Sequence, residues 1–95
     1  MNSAEETKER ILAAGLRLSE RYGWRNLKRD AVASEAKCSP ALVSAHFGLM
    51  EDFRSEVMRR AVESHIEPVI AEGVALRHPT ALAAFAQHVV RLDGR

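Results

Sequence analysis

The fold is decided by residues 28–47, KRDAVASEAKCSPALVSAHF, which predict two short helices joined by a corner of about four residues. Ser39 followed by Pro40 is a strong helix-start signal, because a serine side chain caps free backbone amides and proline suits the first helical position. We therefore expect one helix over about residues 28–36 and a second over about residues 40–46. Helices in this order and spacing form a helix-turn-helix unit.

Before this stretch, apolar residues recur at the spacing of an amphipathic helix. Those on the inward stripe are Ile11, Leu12, Gly15, Leu16, Leu18 and Tyr22. The pattern predicts a first helix over about residues 5–22, ended by Gly23, because glycine favours helix C-termini. Trp24 and Leu27 follow as apolar residues of a short connection, which we expect them to fix to the core. On the second helix, the residues expected to face the core are Val32, Ala33 and Ala36.

After the helix-turn-helix unit, a longer helix is expected to begin near Met50. Its predicted inward residues are Phe53, Val57, Ala61, Ile66 and Ile70. Pro68 removes one backbone hydrogen bond and clashes with the preceding turn, so it predicts a kink or break near residues 64–67. A last helix is expected to start near Pro79 and to end before Gly94. The apolar residues at helical spacing in it are Leu82, Phe85, Ala86, Val89 and Leu92.

No segment shows the alternating apolar pattern of a strand, so we predict an all-α fold. The predicted architecture is a three-helix helix-turn-helix head over residues 1–48, followed by one or two C-terminal helices over residues 49–95 that connect and dimerise. A chain of 95 residues is expected to form one compact domain with a modest core.

Charge is spread unevenly along the chain. The 14 lysines and arginines nearly balance the 13 aspartates and glutamates, so the net charge of +1 creates no global basic field. Residues 8–48 nevertheless contain eight basic and four acidic residues, whereas residues 49–95 contain six basic and seven acidic ones. We therefore expect any surface that attracts anions to lie in the first half of the chain.

Other classes of function find little support in the sequence. The single cysteine, Cys38, forms no internal disulfide, and we expect a cytoplasmic protein. The four histidines lack the spacing of metal ligands, and Ser39 has no histidine and carboxylate arranged around it. The longest nearly apolar run, residues 80–90, is too short to span a membrane. We expect no enzyme, no metal or other cofactor, and no membrane contact.

Several segments occur together in the order typical of one family of DNA-binding proteins. They are AAGLRLSERYGW, RDAVASEAKCSPALVSAHFG and the pair Glu51 and Asp52. Through them, residues 7–61 resemble the N-terminal domain of the tetracycline-repressor (TetR) family. The resemblance implies a head whose third helix enters the major groove of double-stranded DNA, in a two-fold dimer that occupies a palindromic operator. It therefore implies a sequence-specific transcriptional regulator, most simply a repressor.

The residues around the corner suit DNA on physical grounds as well. The third helix is expected to present free N-terminal amides to phosphate, with basic side chains nearby. Val43 and Phe47 are expected to anchor it, which leaves small side chains facing outward, where alanine or leucine can touch a thymine methyl group. His46 is expected either to bond a phosphate or to cap the helix. The predicted DNA-binding residues are Lys28, Arg29, Lys37, Ser39, Pro40, Ala41, Leu42, Ser44, Ala45 and His46.

Departures from the family pattern leave a second interpretation open. Members often carry a tyrosine on the third helix and a lysine at the start of the fourth, where this chain has Ser44 and Met50. Two phosphate contacts are thereby lost. The outward residues Leu42, Leu49 and Met50 could instead form an apolar surface with which a helical interaction module binds and inhibits another regulator.

The C-terminal part is short compared with the family. Members usually continue into a larger effector-binding domain, whereas residues 64–92 offer two helices at most. We therefore expect no full effector pocket and no small-molecule effector. A second copy is expected to cover the apolar surface of these helices. The predicted homodimer interface consists of Ile66, Ile70, Leu82, Phe85 and Val89.

Overall fold

The computed structural model describes the backbone of residues 3–93 and the side chains of residues 3–87. Every regular element between residues 3 and 93 is helical, which confirms the predicted all-α fold. The elements are α1 (Ser3–Tyr22), a 3-10 helix (Trp24–Asn26), α2 (Arg29–Ala36), α3 (Pro40–Phe47), α4 (Met50–Glu63), α5 (Glu67–Ala75) and α6 (Pro79–Asp93).

The helix ends follow local signals in the sequence. α1 stops at Gly23, whose φ of 100° is accessible to glycine and strained for other residues. The break expected near residues 64–67 is present, since α4 ends at Glu63 and His65 adopts a left-handed φ of 57°. Pro68 lies in the first turn of α5, where its missing N–H would have no helical partner in any case.

One hydrophobic core joins all six α-helices, with Ala81 as the contribution of α6. Its largest fully buried side chains are Ile11, Val32, Val43, Phe53, Val57, Met58 and Val69. Trp24 and Leu27 are buried as well, which confirms that the connection after α1 is fixed to the core. The helix-turn-helix unit therefore packs on α1 and α4 instead of standing alone.

The crossing of α1 and α4 depends on Gly15. A Cβ atom at this position would lie 2.8 Å from both Phe53 Cζ and Val57 Cγ2, so only a residue without a side chain permits this approach. The Phe53 ring then meets the Phe47 ring of α3 edge-on, with centroids 4.9 Å apart. A single ring thus links α1, α3 and α4.

Gly73 allows a second close approach, between α5 and its neighbours. A Cβ atom there would lie 2.6 Å from Met58 Cε on α4 and 2.7 Å from Ala81 Cβ on α6. Ala81 is fully buried at this contact. α5 therefore lies tightly between α4 and the start of α6.

The 3-10 helix is held by polar contacts from α4 and α5. Glu72 accepts hydrogen bonds from the backbone N–H groups of Trp24 at 2.7 Å and Arg25 at 2.9 Å. Burial alone would raise the pKa of Glu72, but these amides and the Arg25 guanidinium outweigh it and hold the pKa below its usual value. The indole N–H of Trp24 donates to the Arg54 carbonyl, and the Arg54 side chain donates to the Leu27 carbonyl.

The variant Gly15→Leu should destabilise the fold. The gain in helix propensity is about 1 kcal/mol, whereas forcing a leucine between α1 and the Phe53 ring costs about 1–3 kcal/mol or more. We expect a net fall of about 1–2 kcal/mol in the free energy of unfolding, measured by urea denaturation. Glu20→Leu, which inserts the same side chain at an exposed position of α1, should change it by less than about 0.5 kcal/mol. Equal losses of unfolding free energy in the two variants would contradict the close approach of α1 and α4 at Gly15.

Candidate nucleic-acid interface

The corner between α2 and α3 consists of Lys37, Cys38 and Ser39, the three residues that the predicted helix bounds leave between the two helices. Lys37 adopts a left-handed conformation, with φ of 60° and ψ of 49°, which costs energy for any residue other than glycine. Its N–H donates to the Ser34 carbonyl, and the Cys38 N–H donates to the Ala33 carbonyl at 2.9 Å. These bonds close the turn and fix the direction in which the chain enters α3.

Ser39 begins α3 as predicted. Its Oγ accepts a hydrogen bond from the Leu42 N–H at 3.2 Å, and Pro40 occupies the first turn. Val43 and Phe47 are buried in the core, as expected for the anchoring residues. α3 is therefore capped at its start and held along its inner face.

The outer face of α3 is made of methyl groups. Each residue of an α-helix is rotated by about 100° from the previous one, so Ala41 and Ala45 stand opposite the buried Val43. Both alanines are exposed, while Leu42 and Ser44 are half-buried on the two flanks. We call Ala41 and Ala45 the alanine ridge. It offers a narrow surface on which another backbone or a base edge can approach the helix closely.

Basic side chains lie at the start of α2 and in the corner. Lys28 precedes α2 and Lys37 follows it, and both are exposed. Arg29, in the first turn of α2, is half-buried, and its Nε is shielded from solvent with no hydrogen-bond partner among residues 3–87. A shielded donor of a charged group without an acceptor is costly. An anionic acceptor beside Arg29 would relieve this cost.

Three arginines of α1 form polar contacts with α2. Arg17 Nε lies 2.8 Å from Glu35 Oε2, and Arg21 Nη2 lies 3.4 Å from the same oxygen. The Arg17 hydrogen bond, together with the charge of Arg21, holds the pKa of Glu35 below its usual value. Arg10 Nε donates to the Ala36 carbonyl at the end of α2, 3.0 Å away. These three side chains therefore position α2 and are engaged within the chain.

The residues predicted to bind DNA all lie on the first turn of α2, in the corner or on α3. The exposed ones are Lys28, Lys37, Ser39, Pro40, Ala41 and Ala45, and the half-buried ones are Arg29, Leu42, Ser44 and His46. The His46 ring lies beside the Phe47 ring, with centroids 6.3 Å apart. The predicted set therefore lies along the helix-turn-helix unit, from the start of α2 to the end of α3, with the alanine ridge exposed on α3.

The start of α4 borders this region and has a mixed character. Glu51 and Asp52 are exposed in its first turn, where they oppose the approach of phosphate. Leu49 is 66% exposed, whereas Met50 and Leu42 are half-buried and Met50 packs against the core. Of the three residues in the alternative apolar surface, Leu49 alone is fully available to a partner.

The predicted dimer residues fall into separate environments. Ile66 and Ile70 are half-buried and pack against the chain's own core. Leu82 and Phe85 on α6 are 39% and 51% exposed, and the side chain of Val89 lies outside the described residues. Up to residue 87, the large apolar side chains exposed on α6 and on the turn before it are Leu76, Leu82 and Phe85. Leu76 was not among the predicted residues.

Two negative findings apply to the part of the chain that the structure describes. No three or more His, Cys, Asp or Glu side chains come together there in a way that could hold a metal ion. None of the helices in it combines the length and the apolar character that crossing a membrane requires. Comparison of the chain with family models, with curated proteins and with solved structures found no match. A functional proposal therefore has to come from the geometry around α3.

Proposed function

We propose that this protein is a sequence-specific DNA-binding transcriptional regulator that acts as a homodimer, most simply a repressor that occupies a promoter. The observation that carries the proposal is the exposed alanine ridge on a capped and anchored α3, with Lys28 and Lys37 at the adjoining ends of α2. The major groove admits an α-helix, and the second helix of a helix-turn-helix unit is the element that enters it. The resemblance of residues 7–61 to the TetR family supports the same assignment.

Phosphate contacts would come from the start of α2 and from the corner. Lys28 and Lys37 supply exposed charges, and an outward turn of the Arg29 side chain would bring its Nε, which is shielded in the free chain, to a phosphate oxygen. Glu51 and Asp52 oppose such contacts at α4. We therefore expect few phosphate contacts per copy and an affinity that falls as salt rises.

Base recognition would depend on methyl contacts. The alanine ridge has no side-chain donor or acceptor, so it cannot form the bidentate hydrogen bonds with which arginine recognises guanine. An alanine methyl group packs instead against the C5 methyl group of thymine. Ser44, on the flank, adds one hydroxyl group. We expect half-sites with thymine at the positions that face Ala41 and Ala45.

Self-association would supply the second half-site. Leu82 and Phe85 give α6 an exposed apolar surface, and a two-fold pair would bury the same surface on both copies. Two recognition helices would then meet half-sites about 34–36 Å apart, or a multiple of that distance. Because each copy makes few phosphate contacts, pairing would also raise the affinity.

The exposure of Leu49 favours one alternative, a helical module that binds and inhibits another regulator through Leu42, Leu49 and Met50. The salt dependence of the binding affinity distinguishes the two functions. DNA binding through several phosphates should weaken steeply between about 50 and 200 mM salt, whereas an apolar protein contact should hardly change.

Selection from random DNA duplexes tests the proposal directly. Purified protein is incubated with the duplexes at about 50 mM salt, and the retained DNA is sequenced. We expect two inverted half-sites rich in thymine. Retention no greater than that of an unrelated helical protein of similar charge would reject DNA binding and leave the alternative.

Lys37→Glu should weaken binding to all duplexes alike. The change removes one phosphate contact and adds repulsion, so the affinity should fall about tenfold and the salt slope should decrease by about one. Arg77→Glu is a matched control, because Arg77 is also exposed, basic and left-handed, with φ of 62°, but lies in the turn before α6. Gel-shift titration should show the loss for Lys37→Glu only. Equal affinities would remove Lys37 from the interface.

Replacing thymine by uracil should reveal the methyl contact. Uracil lacks only the C5 methyl group, whose burial stabilises by about 0.8 kcal/mol, so each replaced thymine facing the alanine ridge should cost about fourfold in affinity. The Ala45→Gly variant should no longer distinguish thymine from uracil at the base that residue 45 faces. Uracil placed between the half-sites serves as the control. Unchanged affinity at every replaced thymine would refute methyl recognition.

Phe85→Asp should yield monomers that bind palindromic sites weakly, since a carboxylate at the centre of an apolar contact has no partner. Sedimentation equilibrium measures the association state, and circular dichroism checks the helix content. Tyr22→Asp, at a 63% exposed position on α1, should leave the dimer intact. A Phe85→Asp protein that still sediments as a dimer would refute the proposed surface.

A further inference from the structure

His78 occupies the position that caps the start of α6. Its carbonyl accepts the first helical hydrogen bond, from the Leu82 N–H, and its ring Nδ1 lies 3.2 Å from the Thr80 N–H. On the other side of the ring, Nε2 lies 3.2 Å from Ser55 Oγ on α4. The ring also meets the Trp24 indole edge-on, with centroids 5.4 Å apart. One imidazole thus joins α6, α4 and the 3-10 helix.

These contacts specify the neutral ring. A backbone N–H can only donate, so the Thr80 contact requires Nδ1 to be an acceptor. The ring proton then resides on Nε2, which donates to Ser55 Oγ. In this tautomer both ring nitrogens are satisfied, and α6 has an acceptor for one of its free N-terminal amides.

Protonation of the ring would disrupt the same contacts. Both nitrogens of an imidazolium are donors, so an Nδ1–H would face the Thr80 N–H. The added positive charge would also lie at the positive end of the α6 dipole. Burial of His78 acts in the same direction and lowers its pKa from the usual value.

The first turns of α6 also pack on α4 and α5, through close backbone approach and one buried side chain. Between residues 79 and 87, Ala81 is the one fully buried side chain, packed on Gly73 and Met58. Most other side chains in that range are exposed. A change at His78 therefore acts on the side-chain hydrogen bonds at the start of α6, while the packing of Ala81 on Gly73 remains.

We propose that His78 is a proton-sensitive latch, which holds the start of α6 on α4 and the 3-10 helix while its ring is neutral and releases it in mild acid. The folded form holds fewer protons on the His78 ring than the released form does. The stabilisation that His78 gives to the start of α6 is therefore complete above about pH 6.5 and decreases as the pH falls below that value.

The groups facing the ring do not account for such a change themselves. Ser55 on α4, Thr80 on α6 and Trp24 are uncharged in this pH range. The nearest carboxylate described by these contacts is Glu72, which binds the Trp24 N–H, and its pKa lies below its usual value. Glu72 therefore stays ionised while His78 takes up its proton.

Release of α6 has a consequence that depends on the proposed function. α6 carries Leu82 and Phe85, the exposed residues of the proposed dimer surface. If the protein pairs through them, mild acid should weaken pairing and, with it, binding to a palindromic operator.

Trp24 is the only tryptophan in the chain, so its fluorescence reports directly on the His78 contact. The full chain is titrated from about pH 7.5 to about pH 5, and hydrogen exchange of the α6 amides is measured at both ends. We expect a fluorescence transition below about pH 6.5 and a protection factor for α6 that falls by up to tenfold per pH unit.

His78→Asn is the decisive variant, because asparagine is a good helix cap and does not titrate. This variant should abolish both the fluorescence transition and the loss of amide protection in α6. His78→Asp provides a second cap, with an ordinary pKa of about 3.9, if the first variant fails to fold. His65→Asn is the matched control: His65 is exposed and left-handed, a conformation that asparagine tolerates, and the variant should behave as the natural chain does.

The outcomes separate the latch from the proposed dimer. A pH response that persists unchanged in both His78 variants, or one that disappears in His65→Asn, would overturn the latch. Sedimentation at the two pH values tests the dimer independently. A chain that is monomeric at both, yet shows the transition tied to His78, would reject the dimer surface and support the latch.

Discussion

The packing of the Phe53 ring on the bare backbone of Gly15 is the contact on which the rest of the structure depends. α3 has only eight residues, too few for a helix to be stable by itself in water. Its anchor, Phe47, meets Phe53 edge-on, and Phe53 in turn fills the space that a side chain at position 15 would take. The direction in which the alanine ridge points is therefore set by a contact between α1 and α4, in the core behind it.

Polar contacts join the C-terminal helices to this head. Glu72 of α5 binds the backbone of the 3-10 helix, and the His78 ring connects α6 with Ser55 of α4. The close approach at Gly73 adds apolar contact. Of these contacts, the proposed latch would make only that of His78 sensitive to mild acid, because the packing of Phe53 on Gly15 involves no titratable group. The head should keep its packing under conditions that loosen α6.

The region around α3 shows why net charge predicts little here. Arg10, Arg17 and Arg21 contribute to the basic character of the first half, yet they bind Ala36 and Glu35 and hold α2 in place. The side chains left for an anion are fewer and lie at the start of α2 and in the corner. Periodicity predicted which faces of α2 and α3 are buried. Whether a basic side chain is bound within the chain or left for an anion depended on which acceptors the folded chain brings near it.

The sequence by itself determined where helices begin and end and which residues of the helix-turn-helix unit enter the core, but the prediction that Tyr22 faces inward was wrong, because it lies at the end of α1 with its side chain 63% exposed. Ser39, Pro40, Gly23 and Pro68 act on backbone groups within one turn, so their effects are readable from neighbouring residues. Ile66 and Ile70 were predicted both to face the core and to form the dimer interface, and only the tertiary structure decided between the two by packing them against the chain's own core. It alone brought Glu72 to Trp24, 48 residues away, and shielded Arg29 Nε where no described side chain or backbone group accepts from it. The physical reason is range: caps and turns are local, whereas burial and pairing depend on which distant segments the core brings together.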